Sequence, residues 1–335
     1  MAGYILRRTL LVIPVVLGAV TMLFLVFFII PGDPVEQLGG GTGKALTAQE
    51  RVNIEQKYGL DKPWYDQYGT YMGHLVKGDL GRSYTQGRDV STLIKETAPA
   101  SLRLALWAIL LEIAIGIAAG IVAAVRQYSF LDGLTTVSTT MVVGIPVFVL
   151  GYLFQYAFGV YPFKHHLATF LRFPVQGIGP DKWTLFFIPV GSQWRYLIFP
   201  AITLASVSTA VVARMTRTTM LEVLKADYMR TAAAKGLTKS KIVFKHGLKN
   251  AMIPVVTLIG LDLATLIGSA ILTETVFNWP GMGSMIYRAI IALDSPVVLG
   301  GTLVIVTAYV VINLLVDLSY AFFDPRIRYG GEVVG

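Results

Sequence analysis

The 335-residue chain contains no cysteine. That excludes disulfides, thiolate catalysis, iron–sulfur clusters and cysteine-ligated zinc, and it leaves the redox compartment open. Charge is scarce too, with Asp, Glu, Lys and Arg together at 14%, where a soluble globular protein carries about 25%. Of the four histidines, His74, His165, His166 and His246, no two stand at the two-turn helical spacing of a metal pair beside a carboxylate. His165 and His166 read as solvent-facing loop residues. No Gly-x-Ser-x-Gly elbow occurs, so a hydrolase would lack its nucleophile. The run Gly39-Gly40-Gly41-Thr42-Gly43-Lys44 superficially suggests a phosphate loop. Leu38 and Ala45, however, stand where such a loop needs its first glycine and its magnesium-binding hydroxyl, so the run reads as a flexible linker.

What the chain does have is apolar length. Hydrophobic residues make up 54% and the mean hydropathy is +0.63. A hydrocarbon layer about 30 Å thick takes roughly 20 apolar residues in a helix. Six windows meet or approach that length: Leu10–Ile30, Leu104–Val125 with Glu112 inside, Leu134–Tyr161, the short Tyr196–Ala213, Ala251–Val276 with Asp262 and Glu274, and Val297–Val316. Trp183–Trp194 is too short and reads as interfacial. The first window follows Arg7 and Arg8 as a signal peptide would. At 21 residues it exceeds the usual h-region, and Pro31-Gly32-Asp33-Pro34 follows instead of a small-residue cleavage site.

The formal charge of +8 is compatible with nucleic acid or with cationic loops beside a membrane. A cytoplasmic N-terminus places fourteen cations inside: Arg7, Arg8, Arg126, nine from Arg214 to Lys249, Arg326 and Arg328. With six spans, both termini are then cytoplasmic. The external segment 31–98, at 68 residues, is too long to count in this rule. Thr47 and Glu50 have capping-box spacing for a helix ending near Tyr58-Gly59. Trp64, Tyr68, Tyr71 and Leu75 recur on one face and predict a packed helix over Trp64–Val76.

The cytoplasmic loop predicts one helix over Leu221–Lys235, stopped by Gly236 in a left-handed cap, and a second from Lys239 to Asn250, before Pro254. A basic loop that only sets topology, or that binds anionic lipid, is one reading. The small run Thr231-Ala232-Ala233-Ala234 supports another, because a nearly flat helix face suits a partner's groove, whereas a lipid-bound helix would carry bulky apolar residues there. Within the spans, Glu112 lies about 12 Å and Asp262 about 16 Å beyond the window starts. Each needs water, a partner or a proton at that depth. They read either as lining for a solute path or as structural polar contacts between helices. Glu274 and Asp317 stand near enough to helix ends to reach water. Gly116 and Gly120 make one Gly-x-x-x-Gly helix contact.

Arg230-Thr231-Ala232-Ala233-Ala234-Lys235-Gly236 resembles the peptide-permease form of the Glu-Ala-Ala loop in permease subunits of ATP-binding-cassette (ABC) importers. Pro31–Pro34, Tyr58–Pro63, Gly78–Ser83 and Ile145–Phe148 are similar to the dipeptide and oligopeptide branch. So are Glu274–Gly283 and Asp317–Arg326. The resemblance implies an all-α polytopic membrane protein with six transmembrane helices and the type I ABC importer permease fold. It divides the chain into an N-terminal end and first span (1–30), an extracytoplasmic segment (31–98), a core (99–323) with coupling loop 214–250, and a cytoplasmic tail (324–335). It also implies a non-catalytic subunit importing dipeptides or oligopeptides. Asp227, Tyr228, Arg230, Thr231, Ala232, Lys235, Gly236 and Leu237 would couple it to a separate ATPase; Glu112 and Asp262, by their depth in the spans, are the candidates for its translocation path. Implied partners are a second homologous permease, two ATPase domains, an extracytoplasmic substrate-binding protein that docks on 31–98, peptide substrate and membrane lipid. No cofactor is expected in this chain, since ATP and magnesium would sit on the ATPases. Rival classes are a proton-coupled secondary transporter using Glu112 and Asp262, and a membrane scaffold whose basic loop only recruits a partner.

Overall fold

A computed structural model describes residues 2–26, 47–49, 51–52, 62–179, 188–189 and 191–323. Ten helices organise them: α1 Ala2–Phe24, α2 Trp64–Val76, α3 Val90–Val125, α4 Phe130–Gly144, α5 Val147–Lys164, α6 Gln193–Leu224, α7 Asp227–Ala234, α8 Lys239–Val276, α9 Met282–Ile291 and α10 Ser295–Phe323. No β-strand occurs among the described residues.

Helices α3, α6, α8 and α10 are long and apolar enough to cross a bilayer, and α4 with α5 adds a fifth crossing if counted as one. In α1 the apolar stretch Arg8–Phe24 is shorter, and the end of the first window, 27–30, lies outside the described residues. The third window is not the straight helix expected. Its halves meet at 107° because Ile145 is extended at ψ 125°, as the residue before a proline tends to be, and Pro146 restarts the helix. The second window extends back to Val90, carrying Pro99 within the helix, so the boundary drawn at 98 falls inside α3. The fourth also grows, to 32 residues.

Among the described residues the chain divides into two compact units, one from Met1–Ser101 and Pro280–Ala321, the other from Leu102–Trp279. In the first, α2 has the predicted bounds. Part of its aromatic stripe packs on α1: Tyr68 meets the Phe24 ring edge-on at 5.2 Å, Tyr71 lies 5.8 Å from it, and the Thr21 and Tyr68 hydroxyls are 2.7 Å apart. Trp64 stays exposed. Val90, Leu93 and Ile94 pack with Met282, Ile286 and Val298.

In the second unit, Gly116 and Gly120 do form a helix contact. A Cβ on Gly120 would stand 2.6 Å from the Ala213 carbonyl oxygen, and one on Gly116 2.8 Å from Val212 Cγ1, so α3 and α6 touch through their backbones. The motif around Asn278-Trp279 proves to be a buried helix stop. Phe277 and Trp279 are fully enclosed, and Trp279 N–H closes on the Glu274 carbonyl at 2.8 Å. Glu274 is fully buried at this stop and does not reach water as expected. Asp317 is half-buried and pairs with Arg8 at 2.6 Å.

Several expectations fall outside the described residues: Glu50 and the capping-box helix beyond Val52, the linker Gly39–Lys44, Pro31–Pro34, Trp183 with most of its interfacial stretch, and the tail 324–335. His165 and His166 are exposed in a turn, as expected.

Candidate functional site: the basic loop and its supports

The helix expected over Leu221–Lys235 is broken. α6 ends at Leu224, Ala226 swings to an extended conformation at ψ 148°, and α7 starts at Asp227 with its acid in the first turn. The predicted stop at Gly236 holds, with φ at +80°. Gly236 N–H bonds the Ala233 carbonyl at 3.0 Å and Leu237 N–H bonds that of Ala232 at 3.4 Å. Those two bonds are the Schellman pair that a left-handed glycine permits.

One side of α7 is committed to the chain itself. Met229 and Ala232, three apart, are buried, and Met229 Cε reaches toward Gly247, where a Cβ would meet it at 3.4 Å. Beneath lies a core of Ala124, Met220 and Ala251 with Val243 and Leu248 around it. Tyr228 accepts a bond from Asn250 Nδ2 at 3.0 Å, a second tether to α8.

The outward side carries Asp227, Tyr228, Arg230, Thr231, Ala233, Ala234 and Lys235, all exposed. Ala232 thus turns its methyl inward, and the flat surface open to a partner is formed by Thr231, Ala233 and Ala234. Arg230 stands 3.6 Å from Asp227, an exposed pair of little energetic weight whose charges remain available to a partner. Leu237 is half-buried behind the turn. The helix after Thr238 is N-capped by that residue's hydroxyl at 3.4 Å from Lys241 N. It runs on through Pro254 to Val276, past the end expected before the proline.

Two features of this unit escaped the sequence. Arg217 clasps Asp132 with Nε to Oδ1 at 2.6 Å and an NH2 bond to Oδ2 at 2.9 Å, joining α6 to α4, while Tyr128 N–H adds a third bond at 2.9 Å. Arg217 was one of nine cations in a run, and only Ser129, three residues ahead of a helical acid-bearing turn, marked Asp132. The other is a π-helical turn at Glu112–Gly116, which widens the ladder of α3 where Glu112 sits. Glu112 is fully enclosed and faces Asp262, so the structure does bring the two predicted acids together.

The family described as "Binding-protein-dependent transport system inner membrane component" matches residues 116–329, and its N-terminal counterpart matches 1–105. The dipeptide transport permease DppB of Alkalihalophilus pseudofirmus is 39% identical, over 98% of this chain and all of that protein. The di/tripeptide permease DppB of Pseudomonas aeruginosa is 39% identical over 98% and 99% of the two chains. The oligopeptide permease AppB of Bacillus subtilis is 36% identical over 98% of this chain and all of its own length. The chain therefore belongs to the binding-protein-dependent inner membrane components: it is a multi-pass, non-catalytic permease subunit of an ABC importer, with the type I permease fold.

Proposed function

We propose that this permease carries short peptides inward and is driven through α7 by a separate ATPase. The single observation carrying the coupling is the outward face of α7, small at Thr231, Ala233 and Ala234 and stopped by a left-handed Gly236, on a helix seated from behind by Met229 and Ala232. A helix so seated can be pushed without being pulled from the chain. Peptide cargo is supported by the relatives, whose names specify dipeptides, di- and tripeptides and oligopeptides.

In this reading Asp227, Tyr228, Arg230, Thr231 and Lys235 meet a cleft on the ATPase, with Arg230 and Lys235 pairing to acidic rims. Ala232 and Leu237 hold the helix from within. ATP and magnesium stay on the two ATPase domains, and this chain holds no cofactor. A second homologous permease completes the path, whose lining includes Glu112 and Asp262. A substrate-binding protein docks on 31–98, both termini are cytoplasmic, and the coupling loop spans 214–250. No observation favours the proton-coupled alternative.

The chain's lack of cysteine makes the test direct. A single cysteine at Thr231 or Ala234 should cross-link to cysteines placed along the ATPase cleft, with a yield that changes on ATP binding. No adduct in any nucleotide state would remove the coupling assignment.

A further inference from the structure

Glu112 and Asp262 are more than polar residues at depth. Glu112 is wholly enclosed, yet neither Oε1 nor Oε2 has a hydrogen-bond partner. The groups facing it are Asp262 from α8 and Ser208 from α6, and the Ser208 hydroxyl is spent on the Ala205 carbonyl at 3.1 Å. Asp262 is half-buried, with its Oδ2 sequestered and equally unpartnered. Neither acid joins an ion pair among the described residues. Buried carboxylates are ordinarily hydrogen-bonded or paired, and facing acids repel each other most where water is excluded. Two acids that face each other in a dry site are satisfied either by a proton held between them or by a cation brought from outside.

A cation that takes the place of that proton has to be rich in N–H and supplied from outside this chain. Resting on the peptide-import reading, one group qualifies whatever the peptide's sequence: the ammonium at its amino terminus. We propose that Asp262 and Glu112 form the acceptor for that ammonium during passage. Half-exposed Asp262 meets it directly, with enclosed Glu112 behind it as a second acceptor. The π-helical turn at Glu112–Gly116 places the glutamate at this depth and aims it at α8.

The test uses the complete importer in proteoliposomes. Asp262→Asn should lower uptake of a free dipeptide about ten-fold, the loss of a charge-assisted bond, and Glu112→Gln should lower it less. Uptake of the N-acetylated dipeptide, taken as the ratio of variant to wild type, should not change. A photoreactive group beside the amine should label α8 around Asp262 in wild type and lose that label in Asp262→Asn. The same group at the carboxyl end should not label there. Equal losses for both peptides, or equal labelling from both ends, would overturn the proposal and leave the acids as a helix–helix contact. Failure of the wild-type importer to take up any peptide would instead remove the import reading beneath it.

Discussion

Asp294 gathers four donors from one loop. Its carboxylate, 1% exposed, accepts from Ser83 Oγ at 2.5 Å, Thr85 Oγ1 at 2.6 Å, and the N–H groups of Tyr84 and Thr85 at 3.1 and 3.2 Å. Burial by itself would raise its pKa, but these four donors outweigh burial and hold it below the usual carboxylate value. A lowered folded-state pKa contributes stability above the ordinary carboxylate range, and that contribution is lost as pH falls through the lowered value. Asp294→Asn should therefore cost about 1.5–3 kcal/mol at neutral pH. The gap between wild type and variant, read as thermal unfolding of the purified permease, should close on acidification below about pH 4. A gap constant with pH would show that shape rather than charge matters there. Ser83 was visible within a motif, but its partner lies 211 positions away in sequence, and no local spacing reports a contact of that range. Gly236 is the opposite case: its left-handed stop needs only the residues beside it, and it was legible from them.

At the scale of elements, legibility followed the same division. α2 was readable to its ends because Pro63 precedes it and its stripe is periodic. The break at Ala226 was not, since no glycine or proline marks it. What turns the chain there is tertiary, the seating of Met229 and Ala232 on the helix that follows. The 107° bend had a local cause in Pro146, yet the uncharged run on either side concealed it. Of the predicted site, the outward residues of α7 were within reach, whereas the meeting of Glu112 with Asp262 was not, because each acid's depth is legible from its own window but not which helix it faces. The inward turn of Ala232 was not, because which face of a short helix is covered depends on what it lands upon. The clasp between α4 and α6 carries its own prediction. Asp132→Asn strips the fork of its charged acceptor and should lower stability by about 1.5–3 kcal/mol. Arg217→Lys keeps the charge without the fork and should recover only part. Denaturation of the detergent-solubilised variants measures both, and a neutral Asp132→Asn would show the clasp to be incidental.

For the whole molecule the informative pattern is where cations are concentrated. The run from Arg214 to Lys249 includes exposed Lys225, Lys235, Lys239, Lys241, Lys245 and Lys249, and the positive-inside rule predicts a cytoplasmic position for that run. A single cysteine at Lys249 should react with a membrane-impermeant maleimide only after the cells are opened, whereas one at exposed Gln86 should react in intact cells; the reverse pattern would invert the topology. The contact of Gly116 and Gly120 with α6 bears on how such a molecule can move. They grip α6 at Val212–Thr216, well inside a helix that runs on from Pro200 for about 36 Å. A rod held part-way along works as a see-saw: tipping its Leu224 end one way carries its Ala201 end the other. Opposite displacements at the two faces then come from one rotation about a fulcrum, with no need for the helix to bend.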